Sequence, residues 1–188
     1  MPDKISHVLI SKKYLEKTSN TQDKEYFYYG AIYPDLYDLS KKEEYYKSHF
    51  IQKGTGYNPK LLESFIKKHN YAPSSFLKGV DFHIFTDHFV SKNLNRYYSF
   101  YTETKNKTDT ELSKILSDYA LYHCRNEKIM PIVLKEENDE QIQNSFYEFE
   151  KYRKTDIGDI SSVNSSYLEF IDEIIYEYSR VYLKNFSF

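Results

Sequence analysis

The sequence predicts an all-α protein, and three observations carry that expectation. Apolar residues recur at intervals of three and four along most of the chain, as in Ile5, Val8 and Leu9, which is the period of an amphipathic helix. Only 5 Gly and 5 Pro interrupt the 188 residues. No segment alternates apolar and polar residues as a half-buried strand would, and the short run Met130 to Leu134, which has β character, stands alone.

The first helix is expected from about Asp3 to Glu16. A second covers Lys24 to Ile32 and stops ahead of Pro34, because the residue before a proline disfavours the α conformation. Lys41 to Ile51 forms a short helical pattern closed by Gly54 and Gly56. Asn58 and Pro59 open the next helix, which runs through His69, with asparagine as the cap and proline where no amide hydrogen is needed. After Pro73 the longest helix extends from about Ser75 to Tyr98. Asp109 to Ile129 follows and ends before Pro131; Asp139 to Lys154 and Ser165 to Phe186 come last, separated by the polar loop Thr155 to Asn164. The last helix places Tyr167, Phe170, Ile171, Ile174, Ile175 and Tyr178 so that more than one side can be buried. The expectation is about seven or eight helices around one core, with residues 1–188 as a single all-α domain.

Composition narrows the function. Lys and Arg number 26 against 28 Asp and Glu, and the net charge of −2 supplies no general attraction to nucleic acid or an anionic membrane. Any phosphate chemistry must then be local. The 21 Tyr and 13 Phe read as core edges rather than a base-stacking surface, since no basic groove accompanies them. Cys124 is the one cysteine, so there is no disulfide framework, and it reads as a small core hydrophobe. The first residues, with an apolar run of four at most, resemble neither a signal peptide nor a membrane anchor, and a cytoplasmic location is expected. His69 falls near a helix end beside a polar loop and reads as structural.

His83 and Asp87 lie four apart on the longest helix, so both project from one face and can reach the same metal ion. A neutral imidazole beside a hard carboxylate oxygen suits a catalytic zinc that keeps one position open.

Other candidates precede this pair in a telling order. They are Gly30-Ala31-Ile32-Tyr33-Pro34-Asp35, then Ser48-His49-Phe50, then Gly79-Val80-Asp81-Phe82-His83 through Asp87, with His7 on the first helix. Across roughly residues 5–130 this order resembles the zinc-dependent phospholipase C and P1-type nuclease family, whose members are all-helical. The resemblance implies that His7, Asp35, His49, His83 and Asp87 converge on one cleft holding one to three zinc ions, with Asp35 or Asp87 able to bridge two of them. It also implies a further ligand pair on the next helix, for which His123 with Glu127 is one choice and Asp118 a competing one. Two departures stand out: Asn93 occupies the place of a downstream histidine, and His88 points about 100° away from Asp87 around the helix. The family also uses a processed amino terminus as a ligand, whereas this chain begins Met1-Pro2, six residues before His7.

The function these features imply is zinc-dependent hydrolysis of a phosphodiester, either a phospholipid headgroup or a nucleotide, with Asp35 as the catalytic carboxylate. The competing class, motivated by Asn93, is a non-catalytic helical interaction protein with a degenerate or structural metal site. The apolar patterns carry no signature of a particular oligomer.

Overall fold

A computed structural model describes residues 2–19, 23–97, 108–134 and 139–185. Met1 and the expected helix ends Tyr98 and Phe186 lie outside them. Within these residues the chain forms α1 (Lys4–Thr18), α2 (Lys24–Ile32), a 3₁₀ turn (Tyr33–Leu36) and α3 (Lys42–Ser48). A ribbon of β1 (Ile51–Gln52) and β2 (Gly56–Tyr57) leads to α4 (Pro59–Lys68), α5 (Ser74–Lys92) and α6 (Leu94–Tyr97). The series closes with α7 (Asp109–Cys124), α8 (Asp139–Tyr152) and α9 (Ser166–Asn185), so the fold is all-α.

Local chemistry sets several of these boundaries. The Asp3 carboxylate caps α1 by accepting from the Ser6 amide at 2.9 Å, and the Ser117 hydroxyl donates to its other oxygen, tying the start of α1 to α7. Asn58 caps α4 with Pro59 at its first turn. Thr108 and Glu111 form a reciprocal capping box at the start of α7.

Helix α1 lies at the centre, against α2, α5, α7 and α9. Its residues Ile5, Val8 and Leu9 are buried, as are Tyr167, Phe170, Ile171, Ile174, Ile175 and Tyr178 of α9. These six share one broad face of α9, while Leu168, Glu169, Asp172 and Tyr176 opposite are exposed, so the helix buries one side where more than one was expected. The closest pairing is α2 on α5, and it depends on two glycines. A Cβ at Gly30 would come within 2.1 Å of the Phe76 carbonyl oxygen, and one at Gly79 within 2.2 Å of the Phe27 carbonyl oxygen. With hydrogen at both places, the two backbones touch.

The structure departs from the expected boundaries at three places. The third helix stops at Ser48 rather than Ile51, because Phe50 takes φ 55° in the left-handed region and turns the chain into a two-stranded ribbon. Positive φ at Gly54 and Gly56 makes the tight return possible, so a small antiparallel sheet exists where none was expected. The long helix breaks at Asn93, whose side-chain amide donates to the Phe89 carbonyl at 2.8 Å and takes an acceptor the next turn would need. Finally, α7 ends at Cys124 and not Ile129, and residues 125–134 run on without helix. The buried Arg153, just past the end of α8, donates to the carbonyls of Cys124, Arg125 and Glu127, satisfying the end of α7 from outside the helix.

Candidate metal centre

Four elements deliver one buried polar cluster. His7 comes from α1, Asp35 from the 3₁₀ turn after α2, His49 from the end of α3, and His83 with Asp87 from one face of α5. All are buried, with His83 and His7 only 0% and 1% exposed. Proline at Pro34 ends α2 and lets Asp35 turn inward, while the left-handed Phe50 ends α3 just after His49. Phe50 is held there by its buried ring against Phe65, at 5.3 Å between centroids.

The ligating atoms converge. Asp87 Oδ1 lies 3.2 Å from His7 Nε2, and Asp87 Oδ2 lies 3.5 Å from both His49 Nε2 and His83 Nε2. Asp35 Oδ1 is 3.4 Å from His49 Nε2 and 3.9 Å from His83 Nε2. Among the described residues two overlapping groups could each hold an ion, His7–His83–Asp87 and Asp35–His49–His83, with ligating atoms within 4.8 Å of one another. The rings of His7 and His83 stack at 3.9 Å.

The far side of each ring is also engaged. His83 Nδ1 is 2.7 Å from the Ala31 carbonyl oxygen, which can only accept, so Nδ1 carries the proton and Nε2 presents its lone pair to the cluster. The contact of α2 with α5 at the two glycines brings that carbonyl within reach. His49 Nδ1 meets the Ser48 hydroxyl at 2.8 Å, leaving its Nε2 inward as well.

For His7, His83, Asp35 and Asp87 burial is the largest influence on charge, and it disfavours ionisation. On His7 it prevails, helped by the neighbouring His83, and the pKa falls below the ordinary imidazole value. On His83 the carboxylates of Asp87 and Asp35 outweigh burial, and the pKa rises. Asp35 and Asp87 are held below the usual carboxylate range against the same burial, by His83 first and then by His49 and His7 respectively. Both carboxylates stay ionised, as coordination requires.

The donor set fits a metal ion. His7 Nε2 and Asp87 Oδ1 are buried and face each other at 3.2 Å, close enough to attract but not aligned as a hydrogen bond. An unsatisfied buried polar atom costs about 1–3 kcal/mol, a cost that a cation bound by both atoms removes.

The remaining expected ligands lie elsewhere. Asp118 is paired with Lys114 at 2.6 Å on α7. Glu127 sits beyond the end of α7, bound to Lys12 at 2.9 Å and near Lys24 at 3.5 Å, so it does not share a helix face with His123. His123 is exposed, its ring against Tyr119 and Tyr122. Tyr45 escaped the sequence reading although it precedes His49 by one helical turn; its ring lies 4.4 Å from that of His49. Burial, then the charges of Asp87 and Asp35, push its pKa up, so it remains a phenol. The cluster opens into a cavity of about 490 Å³ lined by Asp35, His49 and Asp87 together with Tyr45, Phe149 and Tyr152.

An all-helical fold with three imidazoles and two carboxylates buried around one point defines a nitrogen- and oxygen-ligand metal-binding class suited to zinc. Residues 5–185 match the family described as zinc dependent phospholipase C. Since that match covers nearly the whole chain, the protein belongs to this family. No curated protein and no solved structure matches the chain.

Proposed function

We propose that the protein is a zinc-dependent phosphodiester hydrolase that cleaves a phosphodiester at the His/Asp cluster. The observation that carries this reading is the convergence of the buried His7 Nε2 and Asp87 Oδ1, 3.2 Å apart, with the inward-facing Nε2 atoms of His49 and His83. Family membership and the donor set support zinc as the ion.

His49, His83 and Asp87 are the residues to hold the principal ion, and His7 with the other oxygen of Asp87 supports an adjacent one. Zinc, when bound, acidifies water and polarises a phosphoryl oxygen. Asp35 lines the cavity with an ionised carboxylate, and its part is to accept a hydrogen bond from the attacking water and fix its direction. The Ala31 carbonyl keeps His83 in the coordinating tautomer, and the Ser48 hydroxyl holds the His49 ring through Nδ1. Tyr45, a protonated phenol lining the cavity beside His49, can donate to a phosphoryl oxygen. The ion pairs of Glu127 and Asp118 with lysines favour fewer than three ions.

Elemental mass spectrometry on the wild-type protein beside the His83→Ala, Asp87→Ala double variant tests the reading. The expected result is at least one zinc equivalent that the variant loses, together with wild-type hydrolysis of bis(p-nitrophenyl) phosphate that the variant lacks. No bound metal after zinc is supplied would sink it, and zinc without hydrolysis of any diester would leave a structural site on a helical interaction protein.

A further inference from the structure

A second cavity, of about 230 Å³, opens onto the same cluster from the side of the β-ribbon. His49 and Asp87 close its floor, and Ile51 of the ribbon with Ile84 of α5 form apolar walls. Tyr57 and His88 also line it, partly exposed, with ring centroids 6.1 Å apart. The proposed chemistry uses neither of these two side chains. Tyr45 lines both cavities.

A phosphodiester carries two organic arms on one phosphorus. With phosphorus at the shared floor, each cavity can receive one arm. The cavities differ in chemistry. The larger carries Asp3, Lys4 and Glu148 with the apolar Leu39 and Phe149. Among the residues that line the smaller, Asp87 is the one acidic side chain, and it already faces His7, His49 and His83, so no carboxylate is left there to pair with a cationic arm. Its volume lies below the roughly 300–1,000 Å³ of pockets for drug-sized ligands and suits a small arm. What it offers is a phenol and an imidazole that both give and accept hydrogen bonds. Burial pushes the Tyr57 phenol up to about 12, so it keeps its proton.

Building on the assignment of the cluster as a phosphodiester-cleaving centre, we propose that the smaller cavity binds a neutral, hydroxyl-bearing arm of the diester, about the size of glycerol or a cyclic polyol. Tyr57 and His88 are its recognising side chains, and Ile51 and Ile84 hold the carbon face of the arm. This makes His88 a specificity residue, distinct from its neighbour Asp87, which serves the metal.

Calorimetric titration of the zinc-loaded protein tests this without relying on turnover. The titrants are methyl phosphate, glycerol 1-phosphate and choline phosphate, and the proteins are wild type, His88→Ala, Tyr57→Phe and the double variant. Glycerol 1-phosphate should bind wild type about fivefold tighter than methyl phosphate for each hydrogen bond made. The double variant should lose that advantage while binding methyl phosphate as before and keeping its zinc. Equal binding of the two esters by wild type, or an advantage that survives in the double variant, overturns the subsite and leaves the hydrolase reading standing. An advantage for choline phosphate that the variants abolish also overturns it, in favour of a cationic arm. If no phosphate ester binds the zinc-loaded protein, both readings fall.

Discussion

Asp35 lines the cavity yet keeps its charge deep in the protein, and that combination separates holding an ion from using it. Asp35→Asn preserves shape and removes the charge. The expected outcome is retained zinc with kcat lowered about 10²-fold or more, read by metal analysis beside diester hydrolysis; loss of the zinc as well would make Asp35 chiefly a ligand. Ser48 acts one bond further out, so Ser48→Ala should weaken zinc binding about tenfold in a competition titration with a chelator. The pair His83 and Asp87 was legible in the sequence because one helical turn of spacing needs no tertiary information. The Ala31 carbonyl that orients His83 lies 52 positions away in the chain, and nothing local announces it. Burial pushes the Cys124 thiol up to about 12 from an ordinary value of 9.0. The folded pKa is therefore the higher one, and the stability it contributes is complete below pH 9.0 and is lost as pH rises toward about 12. Cys124→Ala should flatten the fall of denaturant midpoint with pH across that window.

At the scale of elements, the α2–α5 contact and the end of α7 explain why the fold brings some of the expected ligands together and leaves others apart. A methyl group at Gly79 would meet the Phe27 carbonyl oxygen at 2.2 Å, and backbone cannot swing aside as a side chain can. Gly79→Ala should cost about 1–3 kcal/mol or more in urea unfolding, and the helices it forces apart should also weaken zinc binding. Normal stability with normal zinc affinity would contradict the close approach. The helix starts were readable because caps such as Asn58 with Pro59 are local chemistry. The end of α7 was not. Arg153, 29 residues beyond Cys124, terminates that helix, and so Glu127 never shares a helical face with His123. The turn at Phe50 was hidden for a similar reason: its left-handed backbone is sustained by packing on Phe65, a contact between elements.

Across the whole molecule, the cluster joins α1, the 3₁₀ turn, α3 and α5, so an ion bound there links parts of the chain that unfolding would scatter. Free zinc at about a hundredfold excess over its Kd should add about 2.7 kcal/mol, seen as a rise in Tm of about 5–10 °C over the chelator-treated protein in differential scanning calorimetry. An unchanged Tm would mean that the ion does not bridge these elements. The fold class was legible because helical periodicity runs through nearly the whole chain, whereas the ribbon that walls the smaller cavity consists of two residues per strand and offers no periodicity to detect. The two glycines have one more consequence. Because α2 and α5 meet through backbone, the spacing between the turn that carries Asp35 and the face that carries His83 and Asp87 has little room to breathe. Such a rigid cage sorts ions by radius instead of adapting to each: cobalt, near zinc in size, should enter and report its geometry through a visible absorption band, while the much larger calcium should be turned away.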